Sequence, residues 1–317
     1  PSVGYFAPKR RSGKGNFDKV ENIIIENGVL RAVISPLGGE LCSLGRTEEG
    51  GFVEYLWQGL PEYWERRAPL LFPIVGRLRG GKYTYRGNCY EMGCHGFAAN
   101  LEHRLTMTSA GSARAELEDS HETRAQYPFG FLLTQDFALD GNTLHITVCA
   151  EAKDELWCAF GGHPGFVLPD AGGRAADFES LYVRINDKKA PERQLLSKTC
   201  FVLPERAPFF LDSRGCFGLE HKLFDDDAII LHGVHSATLA SASSPRSVTV
   251  SSPDAEYFGF WQTRYSADAP FLCLEPWQGI PSFDGDADIP DELSRRAGMH
   301  HLMPGERAYF RFDIQLD

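Results

Sequence analysis

Leu132-Leu133-Thr134-Gln135-Asp136-Phe137-Ala138-Leu139, then Asp140-Gly141-Asn142, then Thr143-Leu144-His145-Ile146-Thr147-Val148-Cys149-Ala150 is the stretch that decides the fold. In its second arm Leu144, Ile146, Val148 and Ala150 alternate with Thr143, His145, Thr147 and Cys149. That two-residue period belongs to a strand with one face on a core. The arms meet at Asp-Gly, where glycine supplies the positive φ that a tight hairpin turn demands.

The same pattern recurs outward from this hairpin. Ile23-Ile24-Ile25 and Leu30 to Ile34 flank Glu26-Asn27-Gly28, and Tyr83-Thr84-Tyr85 passes through Arg86-Gly87-Asn88 into Cys89-Tyr90. Further strands are predicted at Leu181-Tyr182-Val183, Ala228 to Leu231, Ser247 to Val250, Tyr257 to Gln262, Phe271 to Leu274 and Ala308 to Ile314. Only Pro61 to Arg67 and Asp291 to Ala297 read as short helices. Many short strands with Gly and Pro turns predict an all-β, antiparallel sandwich or barrel rather than βαβ units. No repeat, low-complexity tract or long linker divides the chain. One domain is expected over residues 1–317, with 1–20 as a loose tail.

Composition narrows the partners. A net charge of -11 argues against nucleic acid, whose phosphates attract a basic surface, and against an anionic membrane. No apolar run approaches the ~20 residues that cross a bilayer. Lys9, Arg10, Arg11, Lys14 and Lys19 have no apolar stretch after them, so a secretory signal is not expected. The 8 cysteines are scattered without a CxxC pair, which suits buried, reduced thiols and a cytoplasmic protein.

Several motifs fail on inspection. Gly76, Gly81 and Lys82 have phosphate-loop spacing, but Tyr83 stands where a hydroxyl should hold Mg²⁺. His121-Glu122 opens a zincin-like pattern that Ala125 breaks. Asp284, Asp286 and Asp288 resemble a calcium loop, but Ile289 replaces the glycine and Arg295 the closing glutamate. No cofactor and no metal are expected.

Two ionisable residues survive. His163 lies in Phe160-Gly161-Gly162-His163-Pro164-Gly165-Phe166, and Glu275 in Phe271-Leu272-Cys273-Leu274-Glu275-Pro276-Trp277. Each precedes a proline, which favours extended geometry and removes a backbone donor, so each is expected where a strand ends. Burial after an apolar strand would raise the Glu275 pKa toward a general base's working range. Trp277 offers a flat face of the kind a sugar ring packs against. Taken alone, these residues leave a structural histidine and a solvent-facing glutamate as open readings.

Seven segments, in order, carry a resemblance. They are Ile34-Ser35-Pro36-Leu37-Gly38-Gly39-Glu40-Leu41, Glu54-Tyr55-Leu56-Trp57-Gln58-Gly59, Tyr63-Trp64-Glu65-Arg66-Arg67-Ala68-Pro69, Leu71-Phe72-Pro73-Ile74-Val75-Gly76-Arg77-Leu78, His95-Gly96-Phe97-Ala98, Gly161-Gly162-His163-Pro164 and Leu274-Glu275-Pro276-Trp277. Together they resemble the aldose 1-epimerase (galactose mutarotase-like) family, within it the bacterial LacX-like branch. The resemblance implies a large antiparallel β-sandwich with an open sugar cleft, acting without a cofactor on a small-molecule sugar, as a monomer or homodimer. It implies Glu275 as general base, His163 as general acid, His95 in binding or proton transfer, and Arg77 on sugar hydroxyls. The family's acidic sugar ligand maps to Asp227 after Phe224, with Asp225 and Asp226 leaving the register open. Arg66 and Arg67 either line the cleft or lie on the surface, and Trp57 and Trp64 are either core or sugar platforms.

The expected reaction is interconversion of the anomers of a free aldose such as galactose or glucose. A hexose 6-phosphate is the near alternative, with Arg66, Arg67, Arg77 and Arg79 to hold the dianion. A non-catalytic sugar sensor and metal-dependent hydrolysis through His95, His163 and Glu275 are the more distant ones.

Overall fold

Phe131–Asp140 and Thr143–Ala152 pair in the predicted hairpin, Asp140 opposite Thr143, with Gly141 at φ 53° in the turn. This computed structural model describes residues 21–170, 172–187 and 190–317; the expected N-terminal tail lies outside them. The hairpin sits inside an antiparallel sheet of nine strands, ordered Cys216–Gly218, Leu181–Ile185, Ser236–Ser241, Ser247–Ser251, Arg307–Leu316, Thr143–Ala152, Phe131–Asp140, Ser112–Glu118 and Arg104–Ser109. A second antiparallel sheet runs Val202–Pro208, Glu192–Leu196, Ile229–His232, Tyr257–Trp261, Leu272–Trp277, Gly161–Gly162 and Leu70–Leu71, with Gly165–Phe166 also on Leu272–Trp277. One apolar cluster joins the two inner faces: Leu133, Ile146, Val148, Phe310 and Ile314 from the first, and Leu231, Phe258, Phe260, Leu272 and Leu274 from the second. The expected large antiparallel β-sandwich is what forms. No helix among the described residues is long and apolar enough to cross a membrane.

The helices differ from expectation. Residues 61–67 form a turn, with the Tyr63 and Trp64 N–H groups both on the Leu60 carbonyl. Stacking of Trp64 on His163 and Phe271 outweighs a weak local preference for helix. Asp291–Glu292 pairs in parallel with Tyr83 and Thr84, and only Leu293–Arg295 coils, as a 3₁₀ turn burying Leu293. Among the described residues the α-helix is His121–Gln126, closed at its start by reciprocal bonds between Ser120 and Thr123.

Candidate active site

Strand periodicity aims the site. Along Leu272–Trp277, Leu272 and Leu274 enter the sandwich core, so Cys273, Glu275 and Trp277 share the opposite face. That face is covered by chain rather than solvent: Cys273 packs with Trp57 and Phe271, and Trp277 with Leu71, Val75, Tyr257 and Ile280. Glu275 lies inside the strand, opposite Gly259, not at its end. Pro276 is tolerated because the Leu274 and Gln278 N–H groups reach Pro164 and Phe160 on one side. Position 276 falls between them, opposite the break where the chain leaves Gly162 and returns at Gly165. His163 occupies that break, as its flanking glycines and proline suggested.

The break brings His163 Nε2 to 3.2 Å from Glu275 Oε2. Glu275 is 0% and His163 7% exposed, so the pair is deeply buried, with His163 the partner nearer solvent. Burial holds the His163 imidazole well below its ordinary pKa, with His95 adding to the effect. Burial also pushes the Glu275 carboxyl well above the carboxylate range, against the Trp277 indole N–H that donates to Oε2 at 3.1 Å. Both directions favour a neutral imidazole beside a protonated carboxyl. An imidazolium beside a carboxylate holds the same number of protons, so the two forms differ only in where one shared proton sits. Two atoms of the pair, His163 Nδ1 and Glu275 Oε1, are buried with no partner among the described residues. Such atoms are costly unless a ligand meets them.

His95 stands beside the pair, its ring centroid 5.5 Å from that of His163. Its own φ is 64°, a conformation uncommon outside glycine. Gly76, at φ 73°, presents its N–H to His95 Nδ1 at 3.1 Å. Nδ1 is therefore the acceptor, and the neutral ring carries its hydrogen on Nε2. Burial and the Arg77 charge push His95 down to about 4, so near neutrality it is a hydrogen-bond donor and not an acid.

Arg77 and Asp227 form the polar margin, with Arg77 Nη1 at 2.7 Å from Asp227 Oδ2. Burial opposes the Arg77 charge, but Asp227 more than compensates and raises its pKa. The other oxygen of Asp227 accepts the Trp261 indole N–H at 2.9 Å, so this aspartate joins Arg77 to the aromatic side of the site. Asp225 contributes a backbone carbonyl to Arg264. Asp227→Asn keeps the shape and removes the charge that aligns Arg77. Hydrogen bonds to charged groups are worth about 1.5–3 kcal/mol, so KM should rise by roughly 10–100-fold with a smaller change in kcat. Steady-state polarimetry separates the two.

Two further placements change. Trp277 is 3% exposed and offers no platform; it fills a slot and holds Glu275 through its N–H. Arg67 packs its guanidinium against Gly59 and is fastened by backbone bonds to Glu40 and Gly165, with its Nε buried and without a partner among the described residues. The aromatic face at the site is Trp64, stacked on His163 with centroids 4.8 Å apart, and Trp261 meets the same ring edge-on. Trp261 escaped the sequence reading because only its register opposite Cys273 brings it there.

The Trp277 slot exists because Gly161 and Gly259 flank it. A Cβ at Gly161 would stand 2.8 Å from the indole, and one at Gly259 2.9 Å. Gly259→Ala should therefore displace Trp277 and destabilise the protein by about 1–3 kcal/mol, the usual cost of overpacking. A chemical denaturation midpoint unchanged from wild type would contradict this.

The chain as a whole is similar to known proteins. The aldose 1-epimerase family pattern spans residues 21–284. The chromosomal protein LacX of Lactococcus lactis subsp. lactis is 31% identical over 309 residues, covering 93% of this chain and 99% of the relative. A galactose mutarotase related enzyme from Lactobacillus acidophilus superposes with a TM-score of 0.84 at 31% identity, over 94% of this chain and 97% of its own. A galactose mutarotase-like protein from Lactobacillus casei gives 0.83 at 26% identity, over 94% and 100%. On sequence and on fold alike, this chain belongs to the aldose 1-epimerase family.

Proposed function

We propose that this protein opens and recloses the ring of a free aldose and so interconverts its anomers. The observation that carries the reading is the buried Glu275–His163 contact, with an unpartnered atom on each side chain. On sugar binding the shared proton passes to His163, leaving Glu275 as carboxylate. Glu275 takes the proton of the anomeric hydroxyl while His163 protonates the ring oxygen. The C1–ring oxygen bond breaks as the C1 carbonyl forms, and the open aldehyde turns about C1–C2. The same transfers in reverse close the other anomer. The His95 Nε2–H, Arg77 and Asp227 hold hydroxyls, and Arg77, with 34% of its side chain exposed, marks the side from which the sugar enters. Each positioned proton transfer supplies about 10²–10⁴-fold.

The geometry favours an unphosphorylated sugar. Arg66 is committed to the Ala99 carbonyl and Asn100, Arg77 to Asp227, and Arg79 to Asp291, which leaves Arg67, its Nε buried without a partner among the described residues, as the one cation of the four to meet a phosphate. A phosphate dianion needs a cation free to give it charge-assisted bonds. Optical rotation of freshly dissolved α-galactose and α-glucose should relax faster with the protein. Their kcat/KM should exceed that of the 6-phosphates by at least about tenfold, the weight of one lost charged bond. A preference for the phosphorylated sugars, or inhibition by sulfate, would reverse the choice of substrate. Sugar binding without any acceleration would instead make the protein a sensor.

A further inference from the structure

Cys273 is a thiol at this site that ring opening does not use. It is fully buried on the strand face that carries Glu275, and its thiol lies beside Gly165. One ligand atom each from His163, Cys273 and Glu275 lie within 4.8 Å of one another. The unpartnered His163 Nδ1 and Glu275 Oε1 belong to the same cluster, so its buried donors are not exhausted by internal bonds.

An imidazole nitrogen, a thiolate and one carboxylate oxygen form a tetrahedral donor set for a borderline divalent ion, with a fourth position open. Bonds of about 2.0–2.3 Å place such ligands roughly 3.3–3.8 Å apart, so the widest separation here needs about half an ångström of movement per ligand. Magnesium and calcium want six or more oxygens and are poorly served. His95 is outside this trio, so the group brought together differs from the His95, His163 and Glu275 set considered from sequence.

We propose that His163, Cys273 and Glu275 form a three-ligand site for a divalent cation of the zinc class, and that filling it switches off proton transfer. The inhibitory part rests on reading His163 and Glu275 as the acid–base pair. Binding sends the Cys273 thiol proton and the proton shared by the pair to water, and the metal takes the lone pairs that the sugar's protons would otherwise meet. Inhibition is reversible, because no covalent bond within the protein changes.

Cobalt(II) tests the site directly in the intact, reduced protein without sugar. One equivalent should develop the visible absorption of a tetrahedral ion and a thiolate charge-transfer band in the near ultraviolet, both removed by Zn²⁺. Cys273→Ala should lose the charge-transfer band and bind at least about 100-fold more weakly, beyond the 10–100-fold typical of losing an outer partner. Its metal-free mutarotation should stay close to wild type and resist the Zn²⁺ that silences the parent. If the alanine variant does not fold, Cys273→Ser serves, because a serine oxygen gives no such band. A wild-type protein with no saturable band, or a Cys273 variant with an unchanged one, overturns the site. The spectrum needs no turnover, so absent mutarotation would sink the functional reading and leave the metal site standing.

Discussion

Glu275→Gln should lower the mutarotation rate by about 10²–10⁴-fold while leaving sugar binding measurable by calorimetry. The amide matches the carboxyl in shape, and its oxygen can still accept the Trp277 N–H that reaches Glu275 now. The change therefore removes a base and little else. The pH dependence of what remains is more informative than the loss. On the proposed mechanism the wild-type pair works with one proton on it: a second proton at low pH leaves no base, and removal of the first at high pH leaves no acid. The profile is bell-shaped, and its two limbs belong to the pair rather than to either residue. Of the pair, only His163 titrates in Glu275→Gln, and burial keeps its pKa low. If His163 is the acid, the residual rate needs the imidazolium and falls as pH rises through that low pKa. If the residual rate climbs with pH instead, His163 is acting as base and the two roles are exchanged. That outcome has a physical basis, because burial favours the shared proton on the carboxyl over the imidazole.

The parts of the fold carried by local pattern were legible in the chain. Alternation through Thr143 to Ala150 and glycine at 141 needed no distant contact to be read, and the hairpin formed in that register. Residues 61–67 were misread because seven residues are too short for periodicity to outweigh the pull of Trp64 toward His163. Glu275 and His163 were marked by their prolines and by resemblance, but nothing local says that they meet. That contact depends on the break between Gly162 and Gly165 lying against the neighbouring strand. The period of two could have placed Trp277 on the same strand face as Glu275. Its burial could not be foreseen, since the slot is made by Gly161 and Gly259 from two other strands. Asp227 was separable from Asp225 and Asp226 only through its contacts with Arg77 and Trp261.

His163→Asn should cost a comparable 10²–10⁴-fold, about 2.7–5.5 kcal/mol of barrier. Its pH profile should mirror that of Glu275→Gln. With the imidazole gone, Glu275 titrates alone, and burial holds its pKa well above the carboxylate range. Residual activity needs the carboxylate, so it should rise with pH through that raised pKa and then level off, with no alkaline descent. A residual rate that falls through the same interval would assign Glu275 the acid's part. Trp64 and Trp261 both lie against the His163 ring, so tryptophan fluorescence reports sugar binding in this variant independently of turnover. Saturable quenching with the rate lost shows that the cleft survives and the proton donor does not. Near-normal mutarotation would mean that ring opening proceeds without His163, and the 3.2 Å contact would then be structural rather than catalytic.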